Sequence, residues 1–104
     1  MRPVLYDAFH EVEAWNVHGE PLPQTITGNI CESGDILARD RLLPPLRPGN
    51  LIIVRDTGAY GFSMASNYNE RLLPAEALIC ADGTVKLIRR RQTLSDLSAT
   101  IPGE

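Results

Sequence analysis

The chain has 104 residues, of which 43% are hydrophobic, and its formal net charge at pH 7 is −3. A chain of this length forms one domain and can bury about 65% of its unfolded surface in a single core. The acidic balance gives no general case for binding nucleic acid or a membrane surface, and no apolar run approaches the ~20 residues of a membrane span. Cys31 and Cys80 form no disulfide framework and no signal peptide is recognisable, so we expect a cytoplasmic protein with reduced thiols.

The N-terminal stretch alternates between two faces and predicts a strand from Val4 to Val12. Arg2 and Tyr6 are four residues apart, so an extended chain places both on one face. A guanidinium fork beside a phenol suits a carboxylate ligand. The alternative is a surface arginine beside a tyrosine at the rim of the core. Residues 13–24 contain glycine and proline and are predicted to form a loop.

A strand is predicted over residues 25–31, and a short apolar run over residues 36–38. Between them the segment GNICESGD (residues 28–35) places a thiol, two carboxylates and a hydroxyl between two glycines. Adjacent carboxylates disfavour a thiolate, so Cys31 is expected to remain a protonated thiol and a plausible proton donor. The alternative is a small buried cysteine without chemistry. Asp35 is expected to satisfy backbone amides of the turn.

Residues 39–50 are rich in proline and are predicted to form a loop, which leads into a buried strand over residues 51–54. Tyr60 then lies between two glycines, which permit close approach of a ligand to the backbone. A tyrosine in a simple turn is the alternative. Residues 62–69 are predicted to form a short helix or turn.

The C-terminal third predicts a hairpin, because Asp82-Gly83 is a strong two-residue turn signal between residues 75–80 and 84–89. Residues 93–97 are expected to begin a helical turn, and the residues after Leu97 to form a frayed tail. No metal site is expected, since the histidines and cysteines are scattered without ligand spacing. They are His10, His18, Cys31 and Cys80.

Three segments together resemble one enzyme family. They are RPVLYDAFH (residues 2–10), GNICESGD (residues 28–35) and DTGAYGFSMASNYN (residues 56–69). In order and spacing they are similar to the C-terminal domain of the diaminopimelate decarboxylases, which are pyridoxal-phosphate enzymes of fold type III, the alanine-racemase-like class. The resemblance implies a mostly β domain, namely a Greek-key barrel or sandwich of about six strands with one short helix.

The resemblance also implies a role for each site residue. Arg2 and Tyr6 would hold the distal carboxylate of the substrate, and Glu32 would pair with its distal ammonium. Tyr60 would contact the cofactor phosphate and lie near the substrate. Cys31 would donate or position a proton in the active site of the partner subunit of a homodimer. The reaction implied is decarboxylation of meso-diaminopimelate to L-lysine in lysine biosynthesis.

Lys86 is the only lysine in the chain, and it lies in an alternating strand. Pyridoxal phosphate is held as a Schiff base by a lysine, together with a cradle for its phosphate, and neither a glycine-rich loop nor a suitable acid accompanies Lys86. In the family this lysine belongs to an N-terminal barrel. We therefore expect residues 1–104 to be a single C-terminal-type domain that is inactive alone. Two alternatives remain: a related decarboxylase acting on ornithine, arginine or carboxynorspermidine, and a non-catalytic dimerisation module.

Overall fold

The computed structural model describes residues 1–103, and most of its regular structure is β. Pairs of strands alternate with short helical segments of three to five residues. The strands are β1 (Val12–Trp15), β2 (Leu22–Thr27), β3 (Ile36–Leu43), β4 (Leu51–Val54), β5 (Glu76–Ile79) and β6 (Val85–Arg89), and the helical segments are α1 (Gly58–Gly61), α2 (Leu94–Ser98) and 3₁₀ turns at Pro3–Leu5 and Tyr68–Glu70.

The strands of residues 1–103 form three separate antiparallel pairs. β1 pairs with β4, β2 with β3, and β5 with β6. The predicted β class is therefore confirmed, whereas closure of the strands into a Greek-key barrel is not shown. Within this part of the chain, no helix is long and apolar enough to cross a membrane.

A small core lies between the β1–β4 and β2–β3 pairs. Its buried members are Val12 on β1, Ile26 on β2, and Ala38 and Leu43 on β3. Ile52, Val54 and two leucines pack against them from the side. This core fixes β2 and β3 relative to β1, and so it fixes the base of the connection between β2 and β3.

The chain is extended rather than compact. Its radius of gyration is 16.2 Å, whereas a globule of this length has about 13 Å. Its accessible surface is 8031 Å², against about 5,800 Å² for a compact monomer of the same mass. The β5–β6 hairpin contributes to the difference, because its large apolar side chains are exposed on both faces. They are Leu78, Ile79, Val85, Leu87 and Ile88.

The predicted strand from Val4 to Val12 is wrong. Pro3 instead occupies the first position of a 3₁₀ turn, and Asp7 has a φ of 53° that interrupts an extended chain. Proline suits the first position of a helical turn, because it has no N–H to leave unsatisfied there. Only at Val12 does the chain become extended, as β1.

Two predicted loops contain strands. Residues 13–24 hold most of β1 and the start of β2, and residues 39–50 hold the second half of β3. Pro23 lies within β2 opposite Leu42, in a two-stranded pair in which every strand is an edge strand that tolerates proline. β2 also ends at Thr27, four residues before the predicted end.

Other local predictions agree with the structure. β4 spans residues 51–54, the β5–β6 hairpin turns at Asp82-Gly83, and α2 begins after Thr93. Tyr60 lies inside α1, so the short helix precedes its predicted position over residues 62–69, where only the Tyr68–Glu70 turn is helical.

The α2 helix is fixed by one carboxylate. The Asp96 carboxylate accepts two hydrogen bonds from the Arg90 guanidinium, at 2.6 and 2.8 Å, and one from the Thr93 backbone N–H at 2.7 Å. The bonds from Arg90, followed by those from Thr93, hold the pKa of Asp96 well below its usual range. The anionic form is therefore favoured in the folded state, and the N-terminus of α2 is capped.

The first prediction is that α2 unfolds locally in acid. Because the folded pKa of Asp96 is depressed, its contribution is present above pH about 4 and is lost as pH falls toward the folded pKa. Hydrogen exchange of the α2 amides should therefore accelerate below pH 4 relative to the β2–β3 amides. D96N should raise α2 exchange already at neutral pH and remove the additional acid dependence.

The matched control is D56N, since Asp56 takes part in no ion pair within residues 1–103. This control should leave α2 exchange unchanged at every pH. An acid dependence of α2 that persists in D96N would contradict the assignment.

Candidate functional site

The connection between β2 and β3 is a closed loop over residues 28–35. The Gly28 N–H donates to the Asp35 carbonyl at 3.0 Å, and the Asp35 N–H donates to the Glu32 carbonyl at 3.1 Å. The Asp35 carboxylate accepts the Ile30 N–H at 2.9 Å. A Cβ on Gly28 would overlap this carboxylate, so only glycine permits the two ends of the loop to meet. The predicted structural role of Asp35 agrees with this geometry.

The loop presents Glu32 to the N-terminal segment. Its carboxylate forms an ion pair with the Arg2 guanidinium, and both side chains are partly exposed. The 3₁₀ turn folds Tyr6 back, so that its hydroxyl accepts the Arg2 backbone N–H at 2.9 Å. Arg2, Tyr6 and Glu32 therefore meet, although by a helical turn and not by the extended strand that the sequence predicts.

Arg2 and Glu32 border a cavity of about 570 Å³. It lies between the loop and the segment after α1. Its polar and charged lining includes Arg2, Glu32, Asp35, Tyr68 and Arg71. A cavity of this size, with charges of both signs, fits a small zwitterionic molecule.

Tyr60 lies next to this cavity, on the other side of Met64. Tyr6, Tyr60 and Met64 enclose a smaller, mostly apolar space of about 340 Å³, and the Tyr6 hydroxyl lies 3.9 Å from the Met64 sulfur. The Tyr60 side chain is 61% exposed, and its phenol is open to a further partner. Met64 also lines the larger cavity, so the two spaces are neighbours.

Cys31 is exposed and faces a different residue from its neighbour Glu32. The Asn69 carboxamide oxygen lies 3.3 Å from the Cys31 sulfur and 3.3 Å from its backbone nitrogen. The structure thus brings Tyr6 and Glu32 into separate contacts with Arg2, and Tyr60 lines the neighbouring apolar space together with Tyr6. Cys31 stands on the same loop but is bound to the segment after α1.

Lys86 lies on β6 opposite Leu78 and is exposed. It lines neither of the cavities beside Arg2 and Tyr60. Within residues 1–103, no three histidine, cysteine or acidic side chains are grouped to hold a metal ion.

Sequence reasoning missed three residues of the site. Asn69 lies at the end of the short helix or turn that the sequence predicts over residues 62–69, and no local pattern points to Met64 or Arg71. Asn69 meets Cys31 across 38 positions of the chain. A signal was present, since asparagine is one of the few residues that tolerate the left-handed backbone it adopts here, with φ at 55°. Its partner, however, could not be read from the sequence.

Comparison with known proteins identifies the domain. Residues 1–58 match the family described as pyridoxal-dependent decarboxylase, C-terminal sheet domain. The chain belongs to the pyridoxal-dependent decarboxylases. Their sheet domain accounts for the mostly β fold.

Within this family the chain is similar to diaminopimelate decarboxylases. It is 50% identical over 101 residues to the enzyme of Neisseria meningitidis serogroup A, covering 95% of this chain and 24% of that protein. The enzyme of Methanothermobacter thermautotrophicus is 43% identical over 99 residues, covering 93% of this chain and 23% of that protein.

Solved structures give the same result. A crystal structure of diaminopimelate decarboxylase from M. jannaschii superposes with a TM-score of 0.86 at 41% identity, covering 99% of this chain and 24% of that one. The Helicobacter pylori enzyme complexed with L-lysine gives a TM-score of 0.81 at 40% identity, over 94% of this chain and 24% of that one. The resemblance seen in the three sequence segments is confirmed, and the chain spans about a quarter of the length of these relatives.

The second prediction concerns the glycine that lets this sheet domain close its loop. G28A should destabilise the protein by about 1–3 kcal/mol, because the added methyl group displaces the Asp35 carboxylate and opens the loop that carries Cys31 and Glu32. Urea unfolding followed by circular dichroism gives the free energy of unfolding.

The matched control is G58A, at the start of α1, where a Cβ meets nothing within 4 Å. It should change the free energy of unfolding by less than about 0.5 kcal/mol or stabilise the protein slightly. Equal effects of the two substitutions would show that Gly28 has no special steric role.

Proposed function

We propose that this chain is the substrate-recognition and proton-donor domain of a diaminopimelate decarboxylase, an enzyme that converts meso-diaminopimelate to L-lysine and carbon dioxide. The observation that carries the proposal is the ion pair between the Arg2 guanidinium and the Glu32 carboxylate at one cavity, with the Tyr6 hydroxyl hydrogen-bonded to the Arg2 backbone beside it. An amino-acid centre carries a carboxylate and an ammonium side by side. Adjacent positive and negative groups are the complement of such a centre.

Binding would exchange one set of ion pairs for another. With no substrate present, Arg2 and Glu32 neutralise each other. A distal carboxylate takes the place of Glu32 on the Arg2 fork, and the distal ammonium takes the place of Arg2 on the Glu32 carboxylate. The Tyr6 hydroxyl gives up a weak sulfur acceptor on Met64 for a carboxylate oxygen.

This arrangement favours diaminopimelate over ornithine. Ornithine offers an ammonium at its far end but no carboxylate, so Arg2 would lose its partner when Glu32 turned to the ligand. An unpaired charge in a partly closed pocket is costly. L-lysine keeps the distal amino-acid centre, and crystal structures of relatives are complexes with L-lysine.

The cofactor would contact this chain at one residue. Tyr60 is an exposed phenol at the edge of the site and fits a contact to a phosphate oxygen, whereas the exposed Lys86 on β6 does not fit the covalent attachment. Pyridoxal phosphate, when bound, supplies the electron sink for loss of carbon dioxide. We assign its lysine and phosphate cradle to an N-terminal barrel domain.

Cys31 would supply the proton that completes the reaction. Its S–H bond breaks as a C–H bond forms at the carbon that has lost carbon dioxide, and the resulting thiolate takes a proton from solvent. A positioned thiol can perform this step as a general acid once per turnover. Both cysteines are free, which fits a reducing compartment such as the cytoplasm.

The shape of the chain supports a larger assembly. The large accessible surface and the exposed β5–β6 side chains need cover from other protein. We propose that an N-terminal barrel domain and a second subunit of a homodimer provide it, and that the strand pairs close into the family's sheet barrel in that setting. The chain alone would be inactive.

The third prediction tests recognition in the enzyme expressed from its complete gene. E32Q and R2Q should each raise the KM for meso-diaminopimelate about 10- to 100-fold, since each removes one charge-assisted contact to the distal centre. The double variant should raise the KM by less than the product of the two single increases, because the two charges compensate each other.

The matched control is a second partly exposed ion pair, Arg55 with Glu13, at 2.6 Å and outside the cavity. R55Q and E13Q should leave KM within about twofold. Unchanged KM in E32Q and R2Q would contradict the recognition role, and equal turnover of ornithine and meso-diaminopimelate by the wild type would favour the ornithine-type alternative.

The fourth prediction concerns the proton. C31A should lower kcat by about 10²-fold or more with little change in KM, because general-acid catalysis contributes this much. C80A removes the other thiol and should leave kcat unchanged. Turnover of C31A at the wild-type rate would refute the proton-donor role and leave recognition intact.

A further inference from the structure

The Asn69 side chain contacts two atoms of Cys31 through its carboxamide oxygen. Its carboxamide oxygen faces the Cys31 backbone nitrogen and the Cys31 sulfur, both at 3.3 Å. The backbone N–H can only donate, so the carboxamide atom that faces it is the oxygen. That oxygen can only accept, and the sulfur beside it must therefore be the donor. The contact between the sulfur and this oxygen is a hydrogen bond only while the proton is on the Cys31 sulfur.

Asn69 is held in an uncommon backbone conformation. Its φ and ψ are 55° and 29°, in the left-handed region, inside the Tyr68–Glu70 turn. A residue with a side chain occupies this region at a cost of about 1 kcal/mol, and asparagine and glycine bear it best. The conformation directs the carboxamide away from its own turn and toward the β2–β3 loop.

A frame of hydrogen bonds fixes this turn. The Asn67 carboxamide donates to the Arg71 carbonyl at 2.7 Å and to the Gln92 side-chain oxygen at 2.6 Å. The same Gln92 oxygen accepts the Leu73 N–H at 2.9 Å. Asn69 thus lies in a turn that is held by hydrogen bonds at Asn67 before it and at Arg71 after it, and its carboxamide approaches Cys31 from a defined direction.

Charged side chains of both signs lie near Cys31 and Asn69 in the sequence. Glu32 follows Cys31 directly and is paired with Arg2, Asp35 closes the loop, and Glu70 follows Asn69. Arg71, two residues after Asn69, lines the cavity beside this loop. All of these groups are common to the wild type and to variants at position 69, so differences between those proteins report on the side chain at that position.

We propose that Asn69 is a positioning residue, which holds the Cys31 thiol protonated and aimed through the two hydrogen bonds to its carboxamide oxygen. The inference rests on the proposed function for its consequence, since a proton donor must carry its proton when the reaction requires it. Asn69 itself touches neither substrate nor cofactor in this assignment.

The test measures alkylation of Cys31 by iodoacetamide as a function of pH, in the protein expressed from its complete gene. Trypsin cuts after Arg39, Arg71 and Lys86, so the peptide that ends at Arg39 carries Cys31 and residues 72–86 carry Cys80. Mass spectrometry therefore follows both thiols separately in one sample. Cys80 serves as an internal control for partial unfolding.

N69G keeps the left-handed backbone and removes the oxygen acceptor. We expect alkylation of Cys31 at pH 7.5 to become about 3- to 10-fold faster, with the midpoint of its pH profile shifted downward by roughly half to one unit. N69D keeps the acceptor and adds a negative charge, so its midpoint should shift upward. Alkylation of Cys80 should be unchanged in both.

Opposite shifts in N69G and N69D with a constant Cys80 profile would support the proposal. Identical Cys31 midpoints in all three proteins, or equal changes at Cys31 and Cys80, would overturn it. The outcome is separable from that of C31A: if C31A turns over normally while N69G shifts the midpoint, the proton-donor function fails and the positioning by Asn69 stands. In turnover, N69G should lower kcat with the KM of meso-diaminopimelate unchanged.

Discussion

The closure of residues 28–35 by Asp35 is the constraint on which the site depends. One carboxylate accepts the Ile30 N–H inside the loop, while the Asp35 backbone meets Gly28 and Glu32. Cys31 and Glu32 are adjacent in sequence, so a single closed loop sets both positions at once. The small core holds β2 and β3 at its base, and the N-terminal turn and the Tyr68–Glu70 turn approach it from two sides.

The proposed division of roles along the chain follows from this geometry. The loop directs Glu32 toward Arg2 and Cys31 toward Asn69, so the proposed roles in recognition and proton transfer share a backbone but use separate contacts. Few of these side chains are deeply buried, so the site is an open surface rather than an enclosed pocket. In the proposed enzyme the opposite side of the active site, with the cofactor, belongs to another domain.

The sequence predicts well what local chemistry decides. Asp82-Gly83 specifies its hairpin, Thr93 and Asp96 cap α2, and the apolar run at residues 51–54 forms β4. The alternation from Val4 to Val12 is misleading, since Pro3 favours a 3₁₀ turn there. Prolines also concealed β2, because a two-stranded pair accommodates them. The family motifs predict Arg2, Tyr6, Cys31, Glu32 and Tyr60 as site residues, but the contact between Cys31 and Asn69 joins positions that no local pattern connects.

The ion pair between Arg2 and Glu32 has a consequence for how ligands arrive. Because the two charges cancel, the surface that carries Arg2 and Glu32 produces little long-range electrostatic field in solvent. Anions and cations are not concentrated there from a distance, and diffusional encounter should depend only weakly on ionic strength. Discrimination between metabolites then takes place at contact, through dissociation rates, and not through electrostatic steering.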